Sequence, residues 1–306
     1  MPHPGPFTIP VLVVCYYPVQ GGHIDRRTTG DVGGPLQTVR EHVAHTTKQV
    51  VQALETGSTY HGYKEPTAQP SLRYQILDTI EVMEPLPLWN RPGLTLPMTD
   101  YNAIMQRIDI RHWVLERGVK EVWLWAYHGD VLVLWESNMS GPHGDISNSP
   151  RDVRDLPVFE RTYTVYHYNY GRGVSEAVED HMHQIEAILR YVDPRLFWEE
   201  FVGEPGEGRC GWSHYPPNGV RDYDWANPTT VWTDIEDWRP GGGQRQPINC
   251  TRWKCDSLTW FVYWMQNLPG LHNSLTYRGR PLSNWWSYIG DFDKSMGMWL
   301  GLVERA

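Results

Sequence analysis

Three ionisable side chains, Glu179, His183 and Glu186, stand four and three residues apart, so on a helix they share one face. Asp180 and His181 lie beside them in the sequence. Glutamate and histidine at this spacing are the residue types with which helices hold metal ions, as in paired Glu-x-x-His sites. His181 and His183 would point roughly 200° apart on a helix, so both cannot serve one ion. The run His-Met-His-Gln-Ile-Glu186 is not His-Glu-x-x-His, which speaks against a zinc-protease motif. The alternative reading is a solvated helix face with ordinary histidines.

Three further constellations could carry chemistry. Trp125-Ala-Tyr-His-Gly-Asp130 closes an apolar run, and strand ends in α/β folds line ligand crevices. His128 there is a candidate base or metal ligand, unless Gly129-Asp130 only supplies a turn. Trp135-Glu-Ser-Asn138 places Glu136 behind an indole, where burial would keep a carboxyl protonated for use as a general acid. Asp145 is a candidate partner carboxylate. Finally, Asp222-Tyr-Asp-Trp225 and Asp234-Ile-Glu-Asp-Trp238 interleave acids with indoles, which suits sugar rings and their hydroxyls. Glycoside hydrolysis needs two carboxyl groups, about 5–5.5 Å apart for retention and about 6.5–9.5 Å for inversion.

These residues need elements to position them. Arg161 to Tyr170 is β-branched and aromatic and reads as a strand. Gly171-Arg-Gly173 suits a reversal with unusual φ, and Ser175 could cap the helix that follows. On that helix Val178, Met182, Ile185, Leu189 and Val192 form one apolar stripe. Upstream, Val11–Tyr17 reads as a central strand, 35–56 as a helix, 72–83 as a strand and 101–117 as one helix. Residues 119–128 and 131–135 read as two strands joined by Gly129-Asp130. Residues 137–157 read as a loop, and 257–268 as a short helix. The alternation of strand and helix over residues 11–192 predicts an α/β fold. Its central sheet would be mixed or mostly parallel and flanked by helices. A Trp/Gly/Pro-rich, loop-dominated C-terminal third would follow. The expected organisation is a core over 1–202 and a cap over 203–306, packed as one domain.

Composition narrows the function. The 306 residues carry a net charge of −9, against a nucleic-acid partner, which would select a basic face. No apolar run is long enough to span a bilayer. The N-terminal residues show no secretory pattern, which predicts a cytoplasmic protein, with secretion the alternative for a trimmed sequence. The four cysteines, Cys15, Cys210, Cys250 and Cys255, are expected to be reduced and structural; a local Cys250–Cys255 disulfide is the alternative for an exported protein. Sixteen Trp and 17 Tyr against 6 Phe favour either half-wet grooves or a Trp-packed core. Gly-x-Ser-x-Gly, Gly-x-Gly-x-x-Gly and P-loop patterns are absent, which disfavours hydride transfer and nucleotide hydrolysis.

The leading expectation is therefore a hydrolase acting on a small-molecule or polysaccharide substrate at a glycosidic bond. Glu136 would act with Glu186 or Asp145, and His128 and His183 would position substrate or water. The aromatic and amide lining would come from Tyr60, His61, Trp125, Trp135, Asn138, Tyr170, Trp225 and Trp238. This reading requires no cofactor, although a divalent cation (Zn or Ca) is compatible with it. The first alternative is a metal-dependent hydrolase of peptides or esters with His183, Glu186 and His128 as ligands. The second is a non-catalytic carbohydrate- or peptide-binding protein.

Overall fold

The central strands of the computed structural model are the apolar runs of the sequence. The structure describes residues 5–149, 152, 155–298 and 301–304. Residues 150, 151, 153 and 154, which fall in the segment expected to be a loop over 137–157, lie outside them. Five strands form the main sheet: β1 (Phe7–Tyr16), β2 (Leu72–Val82), β3 (Glu121–Ala126), β4 (Ser137–Ser140) and β5 (Tyr163–Asn169). Their order is β2-β1-β3-β5-β4. β3 pairs in parallel with both β1 and β5, with Val13 opposite Trp123 and Trp123 opposite Tyr166. β4 closes the edge antiparallel to β5. Every residue of β3 and β5 is buried, the signature of a sheet covered on both faces. The fold is α/β with a mostly parallel sheet, as the alternation of elements predicts.

Five helices concern the argument: α1 (Leu36–Gly57), α2 (Tyr101–Arg107), α3 (Ile110–Leu115), α4 (Val174–Val192) and α5 (Ser257–Met265). The single helix expected over 101–117 is broken, because Asp109 takes a left-handed conformation (φ 50°), which a short polar side chain tolerates. The strand expected over 131–135 is also absent. Gly129 and Asp130 both have positive φ and Val131 N–H returns to His128 O, so the turn forms. Val133 then bridges Met98 rather than running back along β3. The edge strand comes instead from Ser137–Ser140, inside the segment expected to be a loop.

Chain contacts divide the protein into two compact units: Ile9–Val50 with Tyr74–His181, and Met1–Thr8 with Val51–Arg73 and Met182–Ala306. The first holds the main sheet. Its α4-side face carries a ring cluster in which His181 stacks on Tyr166 at 3.7 Å and meets the Tyr168 hydroxyl at 2.5 Å. The second unit has short elements and a packed aromatic centre. Phe201 meets Trp238 at 5.0 Å and Trp285 at 5.6 Å, and Trp264 stands beside it at 5.8 Å.

The division falls inside α4, between His181 and Met182, yet the helix is continuous over 19 residues. Val178, Met182, Ile185 and Leu189 are buried on it as the stripe predicts, and Val192 is half-buried. The turn before it departs from expectation. Neither Gly171 nor Gly173 has positive φ; Gly171 is needed because a Cβ would lie 2.5 Å from Val32 Cγ2. Ser175 is the second helical residue and not the cap.

Cys250 and Cys255 form a disulfide, correcting the expectation of four reduced cysteines. A 3-10 turn over Cys250–Trp253, followed by left-handed Lys254 and Cys255, folds the segment back until the two Cα atoms are 4.5 Å apart. Cys15 and Cys210 are buried thiols.

Candidate metal centre

One polar stripe runs along α4 in steps of three and four: Glu176, Glu179, His183, Glu186 and Arg190. Loop residue His214 faces its middle. Glu179, His183 and His214 each offer a ligand atom, and these atoms lie within 4.8 Å of one another. Among the described residues it is the one converging set of His, Cys and acidic groups of metal-site size. The two imidazoles meet edge to face, with centroids 4.8 Å apart.

Glu186 stands behind the set. Its Oε1 accepts the Ser213 backbone N–H at 2.7 Å, and its Oε2 lies 3.5 Å from His183 Nδ1. The Ser213 hydroxyl is 3.3 Å from the same Nδ1. All three residues are buried. His214 has a similar neighbour, with Asp222 Oδ1 3.8 Å from its Nδ1. One turn before Glu179, burial pushes the Glu176 carboxyl up to about 7, with repulsion from Glu179 and Glu136 added and the Arg172 guanidinium opposing. Glu176 Oε1 accepts from Arg172 at 2.6 Å, while its buried Oε2 has no hydrogen-bond partner among the described residues.

The other residues singled out by sequence fall in several places. Glu136 is half-buried and accepts the Asn148 amide at 2.7 Å. Asp145 accepts the Ser147 hydroxyl at 2.6 Å, so one short loop pins both carboxylates. His128 lies at the turn after β3, in the sheet unit, outside the converging set; it adds to the burial that holds neighbouring His167 down at about 3. Trp135 sends its indole N–H to Asp155 at 3.3 Å, under the Arg91 guanidinium. Asp155 lines a cavity of about 270 Å³ with Trp89, Asp100, Tyr101, Asn102 and Asp152.

Trp125, Asn138 and Tyr170 are buried on or beside the sheet, and among the described residues neither end of the Asn138 amide has a hydrogen-bond partner. Trp238 is buried with its indole N–H on Glu200 O. Tyr60 and His61 stack at 3.9 Å, and burial holds the imidazole down at about 4. Trp225 is half-buried and donates to Ser213 O at 2.8 Å, next to the metal-type cluster.

Sequence reading passed over His214, Ser213 and the buried acid Glu121. His214 is a single histidine in Trp-Ser-His-Tyr215, and only its aromatic flanks hinted at a built loop. No family model matches the chain, and no curated protein matches it either.

Proposed function

We propose that this protein is a metal-dependent hydrolase that holds a zinc-type ion on Glu179, His183 and His214. The convergence of the three ligand atoms carries the reading. Two imidazoles and one carboxylate are the donor set of catalytic zinc sites, which keep the fourth position for water. Calcium prefers six to eight oxygen ligands, which this set does not offer. In this reading His183 Nδ1 would face Glu186 and Ser213 and Nε2 would take the ion, a carboxylate–histidine–metal chain that would fix the ring. A bound ion would acidify its water and polarise an ester or amide carbonyl. Glu176, poised near neutrality one turn along the helix, would exchange protons with that water.

A second reading rests on a different observation. Repulsion from the Glu136 carboxylate adds to the burial that holds Glu176 up at about 7. A raised acid near a second carboxylate is the acid/base asymmetry of glycoside hydrolysis. In this version no ion is needed.

The discriminating experiment is zinc titration of the chelator-stripped protein by calorimetry, with His183→Ala and His214→Ala beside it. One equivalent bound by wild type and lost in both variants supports the metal reading. Hydrolysis of a glycoside that survives chelation but fails in Glu176→Gln supports the second. Wild type that takes up no zinc removes the first.

A further inference from the structure

The loop that carries His214 has a feature that metal binding alone does not need. Tyr223 is 55 % exposed, yet its ring lies over His214 with centroids 4.2 Å apart. Its backbone sits at φ 62°, a left-handed conformation that is rare for a bulky residue. Strained conformations persist where the surroundings over-determine them, and they cluster at functional sites.

The surroundings here are densely hydrogen-bonded. Tyr223 N–H returns to His214 O at 3.1 Å. Asp224 takes Val220 N–H at 3.0 Å and the Asn227 amide at 2.8 Å. Asn218 bridges to Asn227 O at 2.7 Å and Thr229 O at 2.9 Å. Trp225 stands edge-on to Tyr223 at 5.2 Å and is tied to Ser213 O, while Trp253 donates to Trp225 O at 2.6 Å. The loop thus holds an exposed flat ring against a proposed metal ligand. Beside the ring, Asp222 keeps 62 % of its side chain in solvent.

We infer, resting on the metal reading above, that the ligand presented to the ion is a carbohydrate whose pyranose ring stacks on Tyr223 and gives a hydroxyl hydrogen bond to Asp222. A sugar offers both an apolar ring face and donor hydroxyls, matching an aromatic wall beside an acceptor-only carboxylate. The Asp222 carboxylate already meets His214 at 3.8 Å and the Tyr215 hydroxyl, and a plain aryl ligand would use the ring and make no use of its solvent-facing side. A polyanion would be repelled by Asp222 and by the net charge of −9.

The test is calorimetry of the zinc-loaded full chain with cellotetraose, chitotetraose and 4-methylbenzyl alcohol. Tyr223→Ala, Tyr223→Phe and Asp222→Asn are run beside wild type, and melting curves confirm folding. A tetrasaccharide should bind wild type and Tyr223→Phe alike. Its affinity should fall roughly five- to tenfold in Tyr223→Ala, the scale of one aromatic contact. Asp222→Asn should also weaken it. Zinc uptake with no tetrasaccharide binding overturns this inference and leaves the metal reading standing. Binding of the aryl alcohol alone, or undiminished saccharide binding by Tyr223→Ala, overturns it as well. Tyr223-dependent saccharide binding without zinc uptake supports the carbohydrate and defeats the metal reading.

Discussion

The backbone N–H of Ser213 donates to Glu186 Oε1 at 2.7 Å, tying the histidine-bearing loop to the helix that carries His183. The second oxygen of this buried carboxylate, Oε2, accepts the Ser213 hydroxyl at 3.4 Å and lies 3.5 Å from the His183 imidazole. Glu186 stands outside the converging ligand set, and under the proposed metal reading it would position His183.

That role sets the size of its effect. Glu186→Gln should bind zinc roughly 10–100-fold more weakly than wild type, the usual cost of losing a partner behind a metal ligand. His183→Ala should abolish stoichiometric binding. Competition against a chromophoric chelator would measure both. Equal affinity in Glu186→Gln and wild type would show that the carboxylate does not orient the ring.

Glu176 should titrate near neutrality. Its carboxyl is held up at about 7, chiefly by burial, so it is protonated below that pH and ionised above it. A base that accepts a proton from bound water works in the ionised form, so turnover of an acetate ester should rise through pH 7 and level off. Glu176→Gln should lose this limb and fall by roughly 10²–10⁴-fold. Carboxyl-carbon NMR of the metal-free protein reads the same titration without any activity, and a midpoint near 4.5 would sink the assignment.

The sheet was legible because β1 and β3 are largely apolar and β5 is β-branched and aromatic, and the helix stripe because α4 repeats at 3.6 residues. What stayed hidden was long-range. Nothing local says that His214 meets His183, since the pair is separated by 30 intervening residues and joined only by folding. The aromatic excess was ambiguous in the same way: Trp123 and Trp125 are core, whereas Tyr223 is exposed, and composition weighs them alike. Val131–Trp135 failed because β-propensity cannot tell a strand from a segment whose partner lies elsewhere.

Ile185 is 3 % exposed on α4, on the face away from the polar stripe. Ile185→Ala should cost about 2–5 kcal/mol, the range for buried large-to-Ala changes. Urea unfolding measures it. A change below about 1 kcal/mol would mean that the site collapses around the smaller residue.

Glu121 offers the sharpest pH test of the fold. It is buried at the start of β3, its Oε2 accepts the Trp123 indole N–H at 2.8 Å, and burial pushes its carboxyl up to about 8. The folded state therefore prefers the protonated form, while the unfolded chain ionises near the ordinary glutamate value of about 4.3. The contribution to stability is fully present below that value and is lost as pH rises through the folded pKa near 8. Melting temperature should thus decline from pH 5 to pH 9 in wild type. Glu121→Gln keeps the shape and an acceptor for Trp123 but cannot ionise. It should flatten that decline and exceed wild type at pH 9 by on the order of a few kcal/mol. Parallel pH–melting profiles for the two proteins would mean that Glu121 keeps the same pKa folded and unfolded, with water or an unseen cation at its carboxylate.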